Sequence, residues 1–170
     1  MKTPLACGPM QKERDLKPSD MDPSMCNNSV LRQAARRMGQ LYDDIIGPSG
    51  LRATQFGLLA HVVALDQPTM ARLAEALVMD LSALGHTLKP LIRDGLVETF
   101  PDGRDKRAKR VKLTMAGERK VKAASALWAK AQGGFETALG KKKAAELRQV
   151  LSLVASEDFA QAFVAARGNS

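Results

Sequence analysis

Three runs within residues 69–114 decide how this chain is read: TMARLAEAL at 69–77, DLSALGHTLKPLIRDG at 80–95 and LVETFPDGRDKRAKRVKLT at 96–114. Thr69 can cap a short helix whose Leu73, Ala74 and Leu77 share one face. Asp80 can cap a second helix, with Leu84, Leu88 and Leu91 inward, and Gly95 supplies the left-handed residue that ends it. Val97 and Thr99 then alternate along one strand. Val111 and Leu113 point inward on another, with Arg110 and Lys112 outward and Asp102-Gly103 as the turn signal. Helix, turn, helix, charged β-ribbon is the order of a winged helix, in which one helix enters the major groove of DNA and flanking elements grip phosphates.

Working outward, residues 24–47 read as a helix with Val30, Ala34, Met38, Leu41 and Ile45 on one face. The run Gly47-Pro48-Ser49-Gly50 breaks it. A second helix over about 53–65 turns Phe56, Leu59 and Val63 inward. Downstream, Thr114 can cap a long helix in which Val121, Ala124, Trp128, Ala131, Phe135 and Ala138 form a heptad-like seam. Gly133-Gly134 interrupts that seam, each glycine costing roughly 1 kcal/mol against alanine, so a bend is expected there. A last helix over about 141–166 is expected to bury Leu147, Val150, Leu151 and Val154. Pro90, inside the second helix of the central pair, removes a backbone donor, and a local kink or tightening is expected.

The predicted fold is mainly α: a winged helix-turn-helix over 51–113 with a two-stranded β wing, and N- and C-terminal dimerisation helices over 24–47 and 114–166. Residues 1–23, with four prolines and little apolar periodicity, read as a flexible tail. The terminal helices carry more apolar face than the small central module can cover, which a symmetric dimer would bury.

The formal net charge is +8, and the excess is local. Arg104, Lys106, Arg107, Lys109, Arg110 and Lys112 cluster against Asp105 alone, a local enrichment that fits a nucleic-acid partner, the competing reading being a solvated charged loop. Cys7 and Cys26 build no disulfide framework, and with two histidines they make no metal site. No long apolar run suggests a membrane span, so a cytoplasmic setting is expected. No nucleophile elbow, phosphate loop or paired-carboxylate constellation is present, so an enzyme is not expected, nor is a cofactor.

In this order of elements the chain resembles the MarR family, the multiple-antibiotic-resistance-type transcriptional regulators. The resemblance rests on GLRATQFGLL at 50–59, TMARLAEAL at 69–77, IRDGLV at 92–97, PDGRDKRA at 101–108 and VKLTMAG at 111–117, and covers roughly residues 26–160. It implies a homodimer on a pseudo-palindromic operator, with the fourth helix in the major groove and the wing near the minor groove. An effector pocket would lie between the dimerisation helices and the DNA-binding lobe. Aromatic or acyl carboxylates are the effector class the family suggests, and release from DNA by such an effector would make the protein a repressor. The outward side of the recognition helix then offers Leu81, Ser82, Ala83, Gly85, His86 and Lys89. Ser82 and His86 suit base edges, and Lys89 suits a phosphate. Arg104 and Arg107 resemble the family's basic wing tip, with Asp105 placed to orient Arg107, while Lys106, Lys109 and Arg110 add backbone charge. Leu81 and Gly85 stand where many members carry polar or basic residues, and Val78 stands at a turn position often held by glycine.

Arg36, Tyr42 and His61 are candidate effector contacts, a guanidinium for an anion and a phenol for a ring. The competing reading is a packed tyrosine, a solvent-facing arginine and a core or interface histidine. Cys26, at the start of the first helix, loosely resembles the reactive cysteine of the peroxide-sensing branch of the family, and a thiol-switch regulator is the alternative in the same class. The alternative of another class is a helical protein-interaction module whose wing does not meet DNA.

Overall fold

A computed structural model of the protein describes residues 22–168. The expected tail falls almost entirely outside them, as does Cys7. The described backbone falls into two units, one ending at Arg37 and one beginning at Met38.

In the first unit the Asp22 carboxylate accepts the Ser24 N–H and caps a 3-10 turn over Pro23–Met25. Cys26 is extended, so helix α1 (Asn27–Ile46) starts later than the expected Ser24. Gln33 Nε2 donates to Ser29 Oγ one turn back at 3.2 Å. Val30, expected inward, is exposed.

In the second unit α1 ends on buried Ile46, while Leu41, also expected inward, is exposed. Gly50 takes the left-handed conformation (φ 76°) that turns the chain toward α2 (Ala53–Ala64). The Asp43 carboxylate accepts the Ala53 N–H at 2.6 Å and Gln55 Oε1 accepts the Arg52 N–H at 2.9 Å, which together satisfy the opening of α2. Helix α2 buries Phe56, Leu58, Leu59 and Val62. Val63, expected inward, is instead 55% exposed. Its apolar residues are so dense that two faces fit the periodicity, and packing selected the one through Val62.

Thr69 caps α3 (Met70–Ala76) by accepting the Arg72 N–H, and Asp80 caps α4 (Leu81–Arg93) by accepting the Ala83 N–H at 2.7 Å, both as expected. Between them Val78 is left-handed (φ 52°) at the turn where its Cβ is unfavourable. Helix α4 runs through Pro90 to Arg93, and Gly95 follows with φ 67°. Strands β1 (Val97–Pro101) and β2 (Lys109–Leu113) pair antiparallel with Val97 opposite Leu113 and Thr99 opposite Val111. Leu59, Leu73, Leu84, Leu88, Leu91, Val97 and Val111 close one core beneath this ribbon.

Thr114 caps α5 (Met115–Leu139) through the Gly117 N–H and donates its own hydroxyl to the Gly95 carbonyl. A Cβ on Gly117 would stand 2.0 Å from the Leu96 carbonyl oxygen, so this close approach of helix to strand requires glycine. Helix α5 runs through Gly133-Gly134 as one element. The last helix is two: α6 (Lys141–Val154) and α7 (Glu157–Gly168). Ser156 interrupts, its Oγ accepting the Phe159 N–H and so starting α7 afresh. Of the face expected to be buried in α6, Leu147, Val150, Leu151 and Val154 are all exposed in the single chain, and Ala144 is buried instead.

Candidate nucleic-acid interface

With Leu84, Leu88 and Leu91 holding α4 against the core, its opposite face has to meet solvent. Ser82, His86 and Lys89 are exposed on it and Ala83 is half-buried. Leu81 is 56% exposed beside them. Thr87 donates to the Ala83 carbonyl at 2.9 Å, which keeps its hydroxyl within the helix.

The wing tip spans residues 102–108. The Asp102 N–H donates to the Ala108 carbonyl and the Ala108 N–H to the Asp105 carbonyl, each at 2.9 Å, so the tip is closed by its own backbone. Arg104, Lys106, Arg107 and Lys109 project from it exposed. The Asp105 carboxylate, expected to orient Arg107, accepts that residue's backbone N–H at 2.9 Å, a bond that fixes the turn and not the guanidinium. Asp102, expected only to mark the turn, is nearly buried. Its carboxylate accepts the Arg104 N–H at 3.0 Å and faces the Arg110 Nε at 3.4 Å. The Arg104 hydrogen bond, and then the Arg110 guanidinium, hold this carboxyl below the ordinary range against the opposing effect of burial. Arg110, grouped with the exposed bases in the sequence reading, is half-buried and donates through Nη1 to the Gln67 carbonyl at 2.8 Å. A face of exposed polar side chains on one helix and a wing carrying four exposed cations are the parts from which a groove-and-phosphate contact is built.

No protein-family model matches the chain. The M. tuberculosis transcriptional regulator MosR, solved in complex with DNA, is 35% identical, with a TM-score of 0.63 over 75% of this chain and 96% of that one. The multiple antibiotic resistance protein MarR of Escherichia coli K12 is 31% identical over 88 residues, 52% of this chain. The chain belongs to the MarR family. A MarR mutant from E. coli complexed with operator DNA aligns with a TM-score of 0.68 at 26% identity, over 75% of this chain and 91% of that one. The sequence match spans 61% of the E. coli MarR protein.

Members of the MarR family share the winged-helix arrangement seen here, and the remaining candidate residues can be placed on it. Tyr42 donates its hydroxyl to Gln132 Oε1 of α5, and burial raises its pKa above the ordinary phenol value. His61 is exposed, its Nδ1 lying 2.8 Å from the Gly57 carbonyl one turn earlier. Tyr42 and His61 thus serve different partners, and Arg36 is exposed on the first unit. Cys26 is a free, exposed thiol. A cavity of about 750 Å³ lies elsewhere, between the end of α2 (Val62, Val63), the outer face of the ribbon (Glu98, Lys112) and the start of α5 (Val121, Lys122). Its lining comes from three elements far apart in sequence, which is why no local motif announced it. Lys112 pairs with Glu98 at 3.0 Å along its edge and stands 5.2 Å from the Phe100 ring centroid. Among the described residues no cluster of potential metal ligands occurs, and no helix is long and apolar enough to cross a membrane.

Proposed function

We propose that this protein is a homodimeric, DNA-binding transcriptional repressor that lets go of its operator when a small molecule binds. The observation that carries the reading is the pairing of the exposed α4 face (Ser82, Ala83, His86, Lys89) with the exposed cations of the wing (Arg104, Lys106, Arg107, Lys109) on one winged helix. Helix α4 would read base edges in the major groove, and the wing cations would fix its register on the phosphates. Two protomers would place two such helices about one helical turn apart on a pseudo-palindromic site. The exposed Val150, Leu153, Phe163 and Val164 of α6 and α7 support self-association, since side chains of this kind ask for cover. Repression is by occlusion of the promoter, and the chain has no catalytic role in this reading.

Release needs a ligand that binds the DNA-incompetent arrangement better than the competent one. The cavity between α2, the ribbon and α5 is large enough for a drug-sized molecule. Its lysines, Lys112 and Lys122, suit the aromatic or acyl carboxylates that members of the family suggest; Tyr42 and His61 are not among its lining residues. The protein works in the cytoplasm, where its DNA is.

The test is a fluorescence-anisotropy titration on duplex DNA from the region upstream of its own gene, at two salt concentrations, against a scrambled duplex. Preferential binding at dimer stoichiometry that weakens steeply with salt is the expected result. Reversing charge at Arg104 and Arg107 should abolish it. Equal binding before and after that reversal would point to the interaction-module reading instead.

A further inference from the structure

We infer that Asp102 and Arg110 form a strut that sets the wing against the loop opening α3, so that Arg110 is a positioning residue for the interface and not one of its phosphate contacts. This rests on the DNA-binding reading above and adds a role to two residues within it.

The strut is built from both of its ends. On the wing side the Asp102 carboxylate lies among cations that are exposed, yet its own side chain is only 10% exposed. It accepts the Arg104 N–H at 3.0 Å and meets Arg110 Nε at 3.4 Å. On the other side Arg110 Nη1 reaches the Gln67 carbonyl at 2.8 Å. The adjacent Val111 N–H donates to the Pro68 carbonyl at 2.9 Å, and Thr69 bridges Arg110. One guanidinium therefore joins the wing tip to residues 67–69, and Thr69 is the cap that starts α3. The joined loop is itself constrained, for Asp66 and Gln67 are both left-handed (φ 49° and 53°) without being glycine. A lysine could supply the charge of Arg110 but not two directed donors to partners on different elements.

Charge alone argues against Asp102 as a direct element of the interface. A carboxylate on a wing that approaches phosphates repels them, so its presence is useful only through what it holds. Arg104 and Arg107 are exposed, whereas the Nε and one Nη of Arg110 are committed to partners within the chain. Gln67 also lines the 750 Å³ cavity, together with Asp66, Glu98 and Lys112. The pose of the wing and the shape of that cavity thus share one residue.

The experiment compares full-length Asp102→Ala, Arg110→Ala, Arg110→Lys and the Asp102→Ala/Arg110→Ala double variant on the operator duplex, each over a range of salt. A strut predicts that Asp102→Ala weakens binding by about tenfold although it removes a negative charge from the wing. Arg110→Lys should fail to restore binding, and the double variant should be no weaker than Arg110→Ala. A phosphate contact predicts the reverse for Asp102→Ala and for Arg110→Lys. Asp102→Ala would then bind as tightly as the parent or tighter, Arg110→Lys would bind normally, and Arg110→Ala would reduce the salt slope by about one. That pattern overturns the proposal.

Amide hydrogen exchange on the free protein supplies a readout independent of DNA. The Val111 N–H should exchange faster in Asp102→Ala and Arg110→Ala while amides in the middle of α4 keep their protection. If the parent binds no duplex, the DNA reading fails by itself. Unchanged exchange at Val111 would overturn the strut.

Discussion

The winged lobe and the C-terminal helices are made of the same kinds of side chain and treat them in opposite ways. In the lobe Leu73, Leu84, Leu88 and Leu91 are at most 1% exposed, whereas in α6 and α7 Val150, Leu153, Phe163 and Val164 are more than half exposed. The lobe is locked by a ribbon, two capped helices and a glycine contact, and it completes its core alone. The C-terminal helices bury Ala144 and leave the rest of their apolar face to solvent. An apolar face of that kind holds its place by what covers it. The lobe is finished on folding, whereas in the proposed homodimer α6 and α7 would be finished on association.

The sharpest way to break this contrast is inside the lobe. Gly117→Ala drives a methyl group into the Leu96 carbonyl, a contact with backbone that cannot swing away. Either α5 or β1 must shift, and a loss on the order of 3 kcal/mol or more is expected, in the range of severe core defects. Leu88→Ala, a simple cavity, should cost about 2–5 kcal/mol. Urea unfolding of both variants measures this. A Gly117→Ala protein as stable as the parent would mean that the junction between ribbon and α5 yields easily.

The second test acts on α6 and α7. Val150→Glu with Phe163→Glu places charges on side chains already exposed in the chain. Unfolding of the lobe should change by less than about 1 kcal/mol, the scale of surface substitutions. Sedimentation should instead show loss of the dimer, with operator affinity falling by about a hundredfold or more because two half-sites no longer bind together. A variant that stays dimeric would assign self-association to another surface.

Both regions also differ in what could be read beforehand. The caps at Thr69, Asp80 and Thr114, the Leu84–Leu88–Leu91 face and the strand pairing were legible because each depends on residues a few positions apart. The exposed cations of the wing tip were legible for the same reason. The inward face of α2 was not, because Leu58, Leu59, Val62 and Val63 satisfy more than one helical stripe and only the packing distinguishes Val62 from Val63. The break between α6 and α7 had a signal, Ser156 followed by Glu157 and Asp158, which is the pattern of a helix start. The continuous apolar periodicity across it masked that signal. Asp102, Arg110 and Gln67 were beyond reach in principle, since a carboxylate, a guanidinium and a carbonyl 43 residues away in the chain meet only once the ribbon has packed on α3.

A third, smaller effect sharpens the comparison at helix starts. Asp80→Ala removes the acceptor for the Ala83 N–H and Thr114→Ala that for the Gly117 N–H. Each should cost about 0.5–2 kcal/mol. Thr114 should lie at the upper end, because its hydroxyl also donates to Gly95 at 2.6 Å and so ties α5 to the end of α4. Equal losses would show that this second bond adds nothing.

The smallest effect concerns surface charge, where the two regions should agree. Arg72 pairs with Glu75 on α3 at 3.1 Å, and Lys142 with Glu146 on α6 at 4.0 Å; all four side chains are well over half exposed. Solvent screens such pairs and ordering two long side chains offsets most of the attraction, so Glu75→Ala and Glu146→Ala should each change stability by only about 0.3 kcal/mol. Thermal unfolding at low and high salt checks it. A loss above about 1 kcal/mol for Glu146→Ala that vanishes with dilution of the protein would place that carboxylate in the dimer contact. Polar as well as apolar side chains of α6 would then belong to the face that association covers.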